Sequence, residues 1–284
     1  MAMLNQVALV SQSKHVSLAD LTPVSAAISK QVTRDLGPIW NLQASVDAFD
    51  SLDSVPLGYW SVVIMDKIPE HAQGIHLNND NGQPYALVQY SDDWSVTTSH
   101  ETMEMLVDPS GNRTITCNSP VPHQGRAMIL VEVCDPSEGD QFGYTVNGVL
   151  VSDFYTPRFF DPVEAPGVRY SYTGAITKPR QVLEGGYISW WDPTTKHMFQ
   201  MLVQDGKQQI QDRGPVPAGF GTLRSFADSF TNKVRTNLDK TPPKNALLGK
   251  AGRKNARATD FDRATKAHAE SLKKQIAARV KRRG

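Results

Sequence analysis

Ser99-His-Glu-Thr-Met-Glu-Met-Leu-Val-Asp108 is the stretch around which the rest of this sequence is organised. It belongs to a longer segment that begins at Trp94 and ends at Asp108-Pro109, where proline disfavours helical geometry at the residue before it. Trp94, Val96, Met103, Met105, Leu106 and Val107 are core-like, so the segment reads as a mostly buried helix. Residues four apart share a helical face, and His100 and Glu104 therefore present an imidazole and a carboxylate to one point. Glu101, turned about 100° from His100, leans over the same point from the side. Such groups on an apolar helix imply either a bound cation or a satisfied hydrogen-bonded network.

As chemistry, this is the geometry of a His-Glu-x-x-His metalloprotease helix, in which two ligands hold a metal and a glutamate takes a proton from metal-bound water. Glutamate stands here in place of the second histidine. Its oxygen is an acceptable zinc ligand, but the added negative charge weakens the ion as a Lewis acid, so the motif speaks more for metal binding than for catalysis. A third ligand is required. Asp108, eight residues past His100, lies about 12 Å along the axis, too far for the same ion, and reads as a capping or supporting group. Glu132 stands within the apolar strand Ile129-Leu-Val-Glu-Val133, where an unpaired carboxylate is costly; Asp135 follows at the strand end, on the opposite face of an ideal strand. Both remain candidates. The loop histidines His71, His76 and His123 are further ones, with His76 in Gly74-Ile-His76 placed near the cleft. Tyr144, Tyr155 and Tyr187 are read as packing residues.

Outward from the helix, the first half alternates strand and helix. Gln6–Val10, Tyr59–Met65 and Tyr85–Tyr90 are strands, and a helix opens at Thr22-Pro23, buries Val24, Ala27, Ile28, Val32 and Leu36, and stops at Gly37-Pro38. The second half is richer in turns: a strand at Met128–Cys134, a hairpin over Tyr144–Val151 turning at Asn147-Gly148, extended chain over Val151–Asp161, and strands at Gly185–Asp192 and His197–Val203. Residues 205–232 give no assignment beyond the turns at Gly214-Pro-Val-Pro-Ala-Gly219.

Three motifs in order, Ser99–Pro109, Val131-Glu-Val-Cys-Asp-Pro136, and Val149-Leu-Val-Ser-Asp-Phe-Tyr-Thr-Pro157 with Phe159-Phe-Asp161, resemble a group of bacterial and phage proteins that carry a His-Glu-x-x-Glu version of the zincin helix. The resemblance covers roughly residues 40–205. It implies a zincin-like mixed sheet with an active-site helix; with the β-rich second half and a basic helical tail read from the residues themselves, the fold expected is α+β. It also implies that the edge strand of the sheet lies antiparallel to a bound peptide, and Tyr85–Tyr90 is similar in position to that strand.

The net charge of +1 hides a segregated chain. Residues 233–284 hold sixteen Lys/Arg against four Asp/Glu, a balance of +12, and the remainder holds a balance of −11. The organisation expected is a zincin-like metalloprotease-type domain over 1–232, a flexible basic linker over 233–259 and a basic amphipathic helix over 260–284, on which Phe261, Ala264, His268, Leu272, Ile276 and Val280 recur at helical spacing. The two cysteines, Cys117 and Cys134, lack metal or disulfide spacing and read as buried thiols. Without a signal-like N-terminus or a long apolar run, a cytoplasmic or virion-associated location is expected, with no membrane partner.

Two functions follow. One is a zinc-dependent hydrolase with one Zn²⁺ per chain, a metallopeptidase in which His100, Glu104 and Glu132 or Asp135 hold the ion and Glu101 activates water on a peptide or protein substrate. The other is a non-catalytic structural protein, a phage virion component, that uses the same scaffold and contacts nucleic acid or neighbouring subunits through its basic tail.

Overall fold

The structure, a computed structural model, describes residues 4–68, 72–79, 81–238 and 263, with side chains left undescribed over 232–238. His71, most of the linker and all but one residue of the basic helix lie outside the described residues.

The first half is one mixed sheet with its helices on a single face. Strands β1 (Leu4–Ser11), β2 (Gln43–Phe49), β3 (Trp60–Met65), β4 (Gly74–Asn78) and β5 (Pro84–Gln89) take the order β2-β1-β3-β5-β4. All neighbours are parallel except β4, which runs antiparallel to β5 at the sheet edge. The strand expected at Tyr85–Tyr90 is therefore β5, an interior strand, and the edge position belongs to β4. β4 escapes a sequence reading because Gly74 and His76 occupy two of its five positions. β2 escapes it because Ala44, Val46 and Ala48 make only a thin apolar stripe at the opposite edge.

Helices α1 (Leu18–Gln31) and α3 (Trp94–Val107) pack on the face formed by Val7, Leu9, Val62, Ile64, Ala86 and Val88. α1 starts earlier than Thr22-Pro23 suggests. Ser17 caps it, its hydroxyl accepting the Asp20 N–H while the Asp20 carboxylate accepts the Ser17 N–H at 2.9 Å, and Pro23 falls inside the helix. Nor does Gly37-Pro38 stop the chain. A π-helical turn over Val32–Leu36 leads into a short helix α2 (Gly37–Trp40), which ends at Asn41 in left-handed backbone. Proline has no N–H to give, so the ladder opens by one residue before it, and the Gly37 N–H reaches the Val32 carbonyl.

The second half is an antiparallel sheet of β6 (Thr114–Asn118), β7 (Arg126–Leu130), β10 (Tyr187–Trp191), β11 (His197–Gln204) and β12 (Lys207–Pro215), in the order β12-β11-β10-β7-β6. Between β7 and β10 lie the hairpin β8 (Tyr144–Val146) and β9 (Val149–Val151), turning through Asn147 and Gly148 at positive φ, and loops folded on Phe154, Tyr155, Phe159 and Tyr170. The chain expected to be extended after Val151 instead makes a 3-10 turn at Pro157–Phe160, capped by Thr156. Residues that gave no assignment form β12 and helix α4 (Leu223–Leu238), which carries regular structure past position 233. One continuous core joins the two halves, and no described helix is long and apolar enough to cross a membrane. The molecule is thus a mixed α+β protein.

Gly37 tests the local argument. A Cβ there would stand 2.7 Å from the Leu42 carbonyl oxygen and 2.9 Å from that of Val32. Gly37→Ala is expected to cost about 1–3 kcal/mol in urea denaturation; a loss within a few tenths would show that the backbone yields freely at this turn.

Candidate metal centre

The centre is built on the buried side of α3. Thr98 and Thr102 are buried without loss because they donate to the carbonyls of Trp94 and Thr98, each at 2.7 Å. Ser99 donates to Gln31 Oε1 at 2.9 Å and accepts the Ser152 N–H at 3.0 Å, which ties α3 to α1 and to the chain after β9. The helix end is held by Asp108. Its carboxylate accepts the Arg113 N–H at 2.9 Å, the Asn112 N–H at 3.2 Å and the Ser110 hydroxyl at 3.0 Å. These bonds fix the loop that leaves α3, a supporting role rather than a cap on the helix carbonyls.

Glu104 is the hub. Its Oε1 accepts the Cys134 N–H at 3.1 Å, while Oε2 faces His100 Nε2 at 3.3 Å and Arg224 Nη1 at 3.0 Å. Asp135 Oδ1 lies 3.3 Å from the same His100 nitrogen. Asp135 does not sit on a strand. β7 ends at Leu130, and Asp135 opens a 3-10 turn over Asp135–Ser137 that turns its carboxylate towards α3. Gly186 packs against that turn so closely that a Cβ would come within 2.6 Å of the Asp135 carbonyl oxygen.

Glu132 follows β7 rather than standing in it, and it faces a different partner. Arg224, from the first turn of α4, inserts among Glu132, Glu104 and His76: its Nη1 bonds Glu132 Oε2 and lies 3.1 Å from His76 Nε2. Its Nε reaches Asp228 at 3.1 Å and its Nη2 approaches Glu101 at 3.5 Å. Glu101 is fully buried, and neither of its oxygens has a hydrogen-bond partner among the described residues; His76 Nδ1 stands 3.7 Å from its Oε2. β4 must be bare at Gly74 to admit it, since a Cβ there would lie 2.5 Å from Glu101 Oε1. Of the other histidines, His123 is exposed in the turn between β6 and β7, away from this cluster.

Electrostatics divides the cluster. Burial alone would push the His100 imidazole down, but Glu104 and Asp135 outweigh it and hold the ring well above its ordinary range, hence charged. Burial would likewise raise Glu104, yet His100 and Arg224 hold its carboxyl well below the usual value. Glu132 goes the other way. Burial, reinforced by Glu104, Asp108 and Asp135, lifts it well above the ordinary carboxyl range against the pull of Arg224. The Tyr155 hydroxyl is buried without a partner, and burial with the neighbouring Glu132, Glu104 and Asp135 pushes it up too.

Two sets of three ligand atoms, each set within 4.8 Å, share Glu104: His100, Glu104 and Asp135, and His76, Glu104 and Glu132. The donor types in both suit zinc. In the first, His100 Nε2 stands 3.3 Å from each carboxylate oxygen. Ligands on a tetrahedron with ~2.0 Å bonds are about 3.3 Å apart, so an ion fits this set by exchanging with the His100 proton. In the second, Arg224 Nη1 already stands among the ligands. The sequence reading brought together His100, Glu104, Asp135 and Glu132, but it missed Arg224 and placed His76 in a loop. The signal for Arg224 was the stripe Leu223, Phe226, Ala227, Phe230, which marks a helix whose Arg224 and Asp228 share the neighbouring face.

No family model matches the chain, and no curated protein proved similar to it.

Asp108→Ala is expected to destabilise the protein by about 0.5–1.5 kcal/mol, the net loss of hydrogen bonds to the partly buried Asn112 and Arg113 N–H groups, while leaving zinc binding unchanged. Metal analysis and urea denaturation of one preparation would separate loop support from ligation; loss of zinc with unchanged stability would make Asp108 a ligand.

Proposed function

We propose that this chain is a zinc-dependent hydrolase of the zincin type, acting on peptide bonds, with His100, Glu104 and Asp135 holding the ion and Glu101 as general base. What carries the reading is the convergence of one imidazole and two carboxylate oxygens within 4.8 Å of one another, each oxygen 3.3 Å from the imidazole nitrogen, drawn from α3 and from the 3-10 turn after β7. The five-stranded sheet, with its antiparallel edge strand β4 packed on α3, supports the same reading. Glu132 is assigned a different part: it anchors Arg224.

Bound zinc would supply Lewis acidity at the substrate carbonyl. The chain's own residues do the rest. Glu101 has lone pairs on both oxygens uncommitted to hydrogen bonds, in a pocket whose cations keep its carboxyl below the usual range despite burial, so it stands ionised and ready to accept a proton. It takes that proton from the attacking water and returns it to the leaving amine, ending as it began. Cys134 holds Glu104 in place through its backbone N–H. β4, at the sheet edge, would offer backbone groups to an extended peptide.

A second reading, a non-catalytic scaffold that contacts nucleic acid or neighbouring subunits through the basic tail, is favoured by one observation. Glu101 and Glu104 are fully buried and Arg224 compensates their charge, so the network serves as a structural centre without further help.

Elemental mass spectrometry separates the two. The hydrolase reading expects about one zinc per chain, lost in His100→Ala, and a Glu101→Gln variant that keeps its zinc but hydrolyses peptides ~10²–10⁴-fold more slowly. Wild-type protein without zinc, or equal hydrolysis by Glu101→Gln, would sink it in favour of the scaffold.

A further inference from the structure

We infer that the guanidinium of Arg224 occupies a second divalent-cation site, formed by His76, Glu104 and Glu132, so that docking of the first turn of α4 and binding of a metal ion there exclude one another. The three ligand atoms lie within 4.8 Å of one another, and Arg224 Nη1 stands among them, 3.0 Å from Glu104, 3.1 Å from His76 and bonded to Glu132. They come from three separate elements: β4, α3 and the chain after β7. A point at which an imidazole and two carboxylates converge from elements distant in sequence is a cation position, and here the cation belongs to the chain.

Two observations go beyond the acidic cluster. Glu132 Oε1 is buried with no hydrogen-bond partner among the described residues, while His76 faces the site through Nε2, 3.1 Å from Arg224 Nη1 and 3.3 Å from the Asp108 carbonyl oxygen. One guanidinium thus leaves an acceptor of its own cradle unused. A divalent ion could draw on His76 and both oxygens of Glu132 together. The second is the way α4 is attached. It enters through residues 216–221, mostly exposed, with Gly219 and Gly221 at positive φ, and its start is held by two bonds to the loop after α3, Arg224 N–H to the Gly111 carbonyl at 3.0 Å and Leu223 N–H to Asn112 Oδ1 at 2.9 Å. The first turn pairs with no strand; its release costs the burial of Phe226, next to the bond that Gln200 Nε2 donates to the Ala227 carbonyl at 3.0 Å.

The competition is reciprocal. An ion that binds only when Arg224 is out shifts the α4 equilibrium outward, and removing the guanidinium tightens the ion by the same coupling. The inference deepens the metal reading above; the two sites have Glu104 in common and are told apart by His76 and Glu132, which serve only this one, and by His100 and Asp135, which serve only the other.

The experiment is a zinc titration of the full chain, with stoichiometry read by elemental mass spectrometry after gel filtration and α4 opening read by amide hydrogen exchange over residues 223–231. Arg224→Ala is expected to bind one zinc more than wild type, lost again in Arg224→Ala/His76→Ala; Arg224→Lys, which keeps a cation in place, is expected to match wild type. Excess zinc should speed α4 exchange in wild type. If Arg224→Ala folds poorly, zinc is expected to restore its melting temperature and His76→Ala to abolish that rescue. Equal zinc content in Arg224→Ala and wild type, slower α4 exchange with zinc, or no rescue by zinc would each overturn the inference. One zinc in both wild type and Arg224→Ala leaves the hydrolase centre standing and removes this site; none in wild type and one in Arg224→Ala does the reverse.

Discussion

Everything in the site follows from the burial of Glu104. A carboxylate with no exposure costs several kcal/mol unless it is compensated, a large share of the 5–15 kcal/mol by which a whole domain is stable. The fold answers with three polar groups, one from the same helix and two from distant parts of the chain: the His100 ring, the Cys134 N–H and the Arg224 guanidinium. Each then places something else. Holding Cys134 sets the turn that aims Asp135, and holding Arg224 docks α4 on β4.

The parts legible in the sequence were those decided by local chemistry. α3 reads correctly from Trp94 to Val107 because its apolar residues recur at helical spacing and Pro109 stops it. The hairpin at Asn147-Gly148 reads correctly because its turn requires two residues at positive φ. Where the reading failed, tertiary packing decided. Gly37-Pro38 looks like a helix stop, yet burial of Leu36 and Trp40 on either side carries the chain through as a π turn. Asp135 looks like the far face of a strand, yet the close approach of Gly186 belongs to a turn. At the site, the spacing on α3 pointed to His100, Glu101 and Glu104. Arg224 lies 120 positions from Glu104, and nothing local marks an arginine as the counter-ion of a particular glutamate.

The division of charge along the chain acquires a structural meaning at the same place. The acidic body concentrates carboxylates around α3, and the cation that meets them is carried by the helix through which the chain leaves towards its basic end. Asp228, one turn beyond Arg224, bonds its Nε and so orients the guanidinium. A lysine, with one charged tip, could not reach Glu101, Glu104, Glu132 and Asp228 together.

This bears on how a buried glutamate could act on a substrate at all. Glu101 is enclosed by α3, β4 and Arg224, so any reaction there requires one of the three to move. α3 is packed into the core that joins both halves, and β4 is hydrogen-bonded along its length to β5. α4 pairs with no strand: it is held by Arg224, by the buried Phe226 and Ala227, and by Gln200, whose Nε2 donates to the Ala227 carbonyl at 3.0 Å. Its displacement exposes Phe226 and breaks the ion pairs of Arg224, and the second cost is the one a divalent cation offsets, because it restores to Glu104 and Glu132 the charge that the guanidinium withdraws. With arginine in place the site is closed and self-compensated, and access to Glu101 is therefore tied to the position of α4.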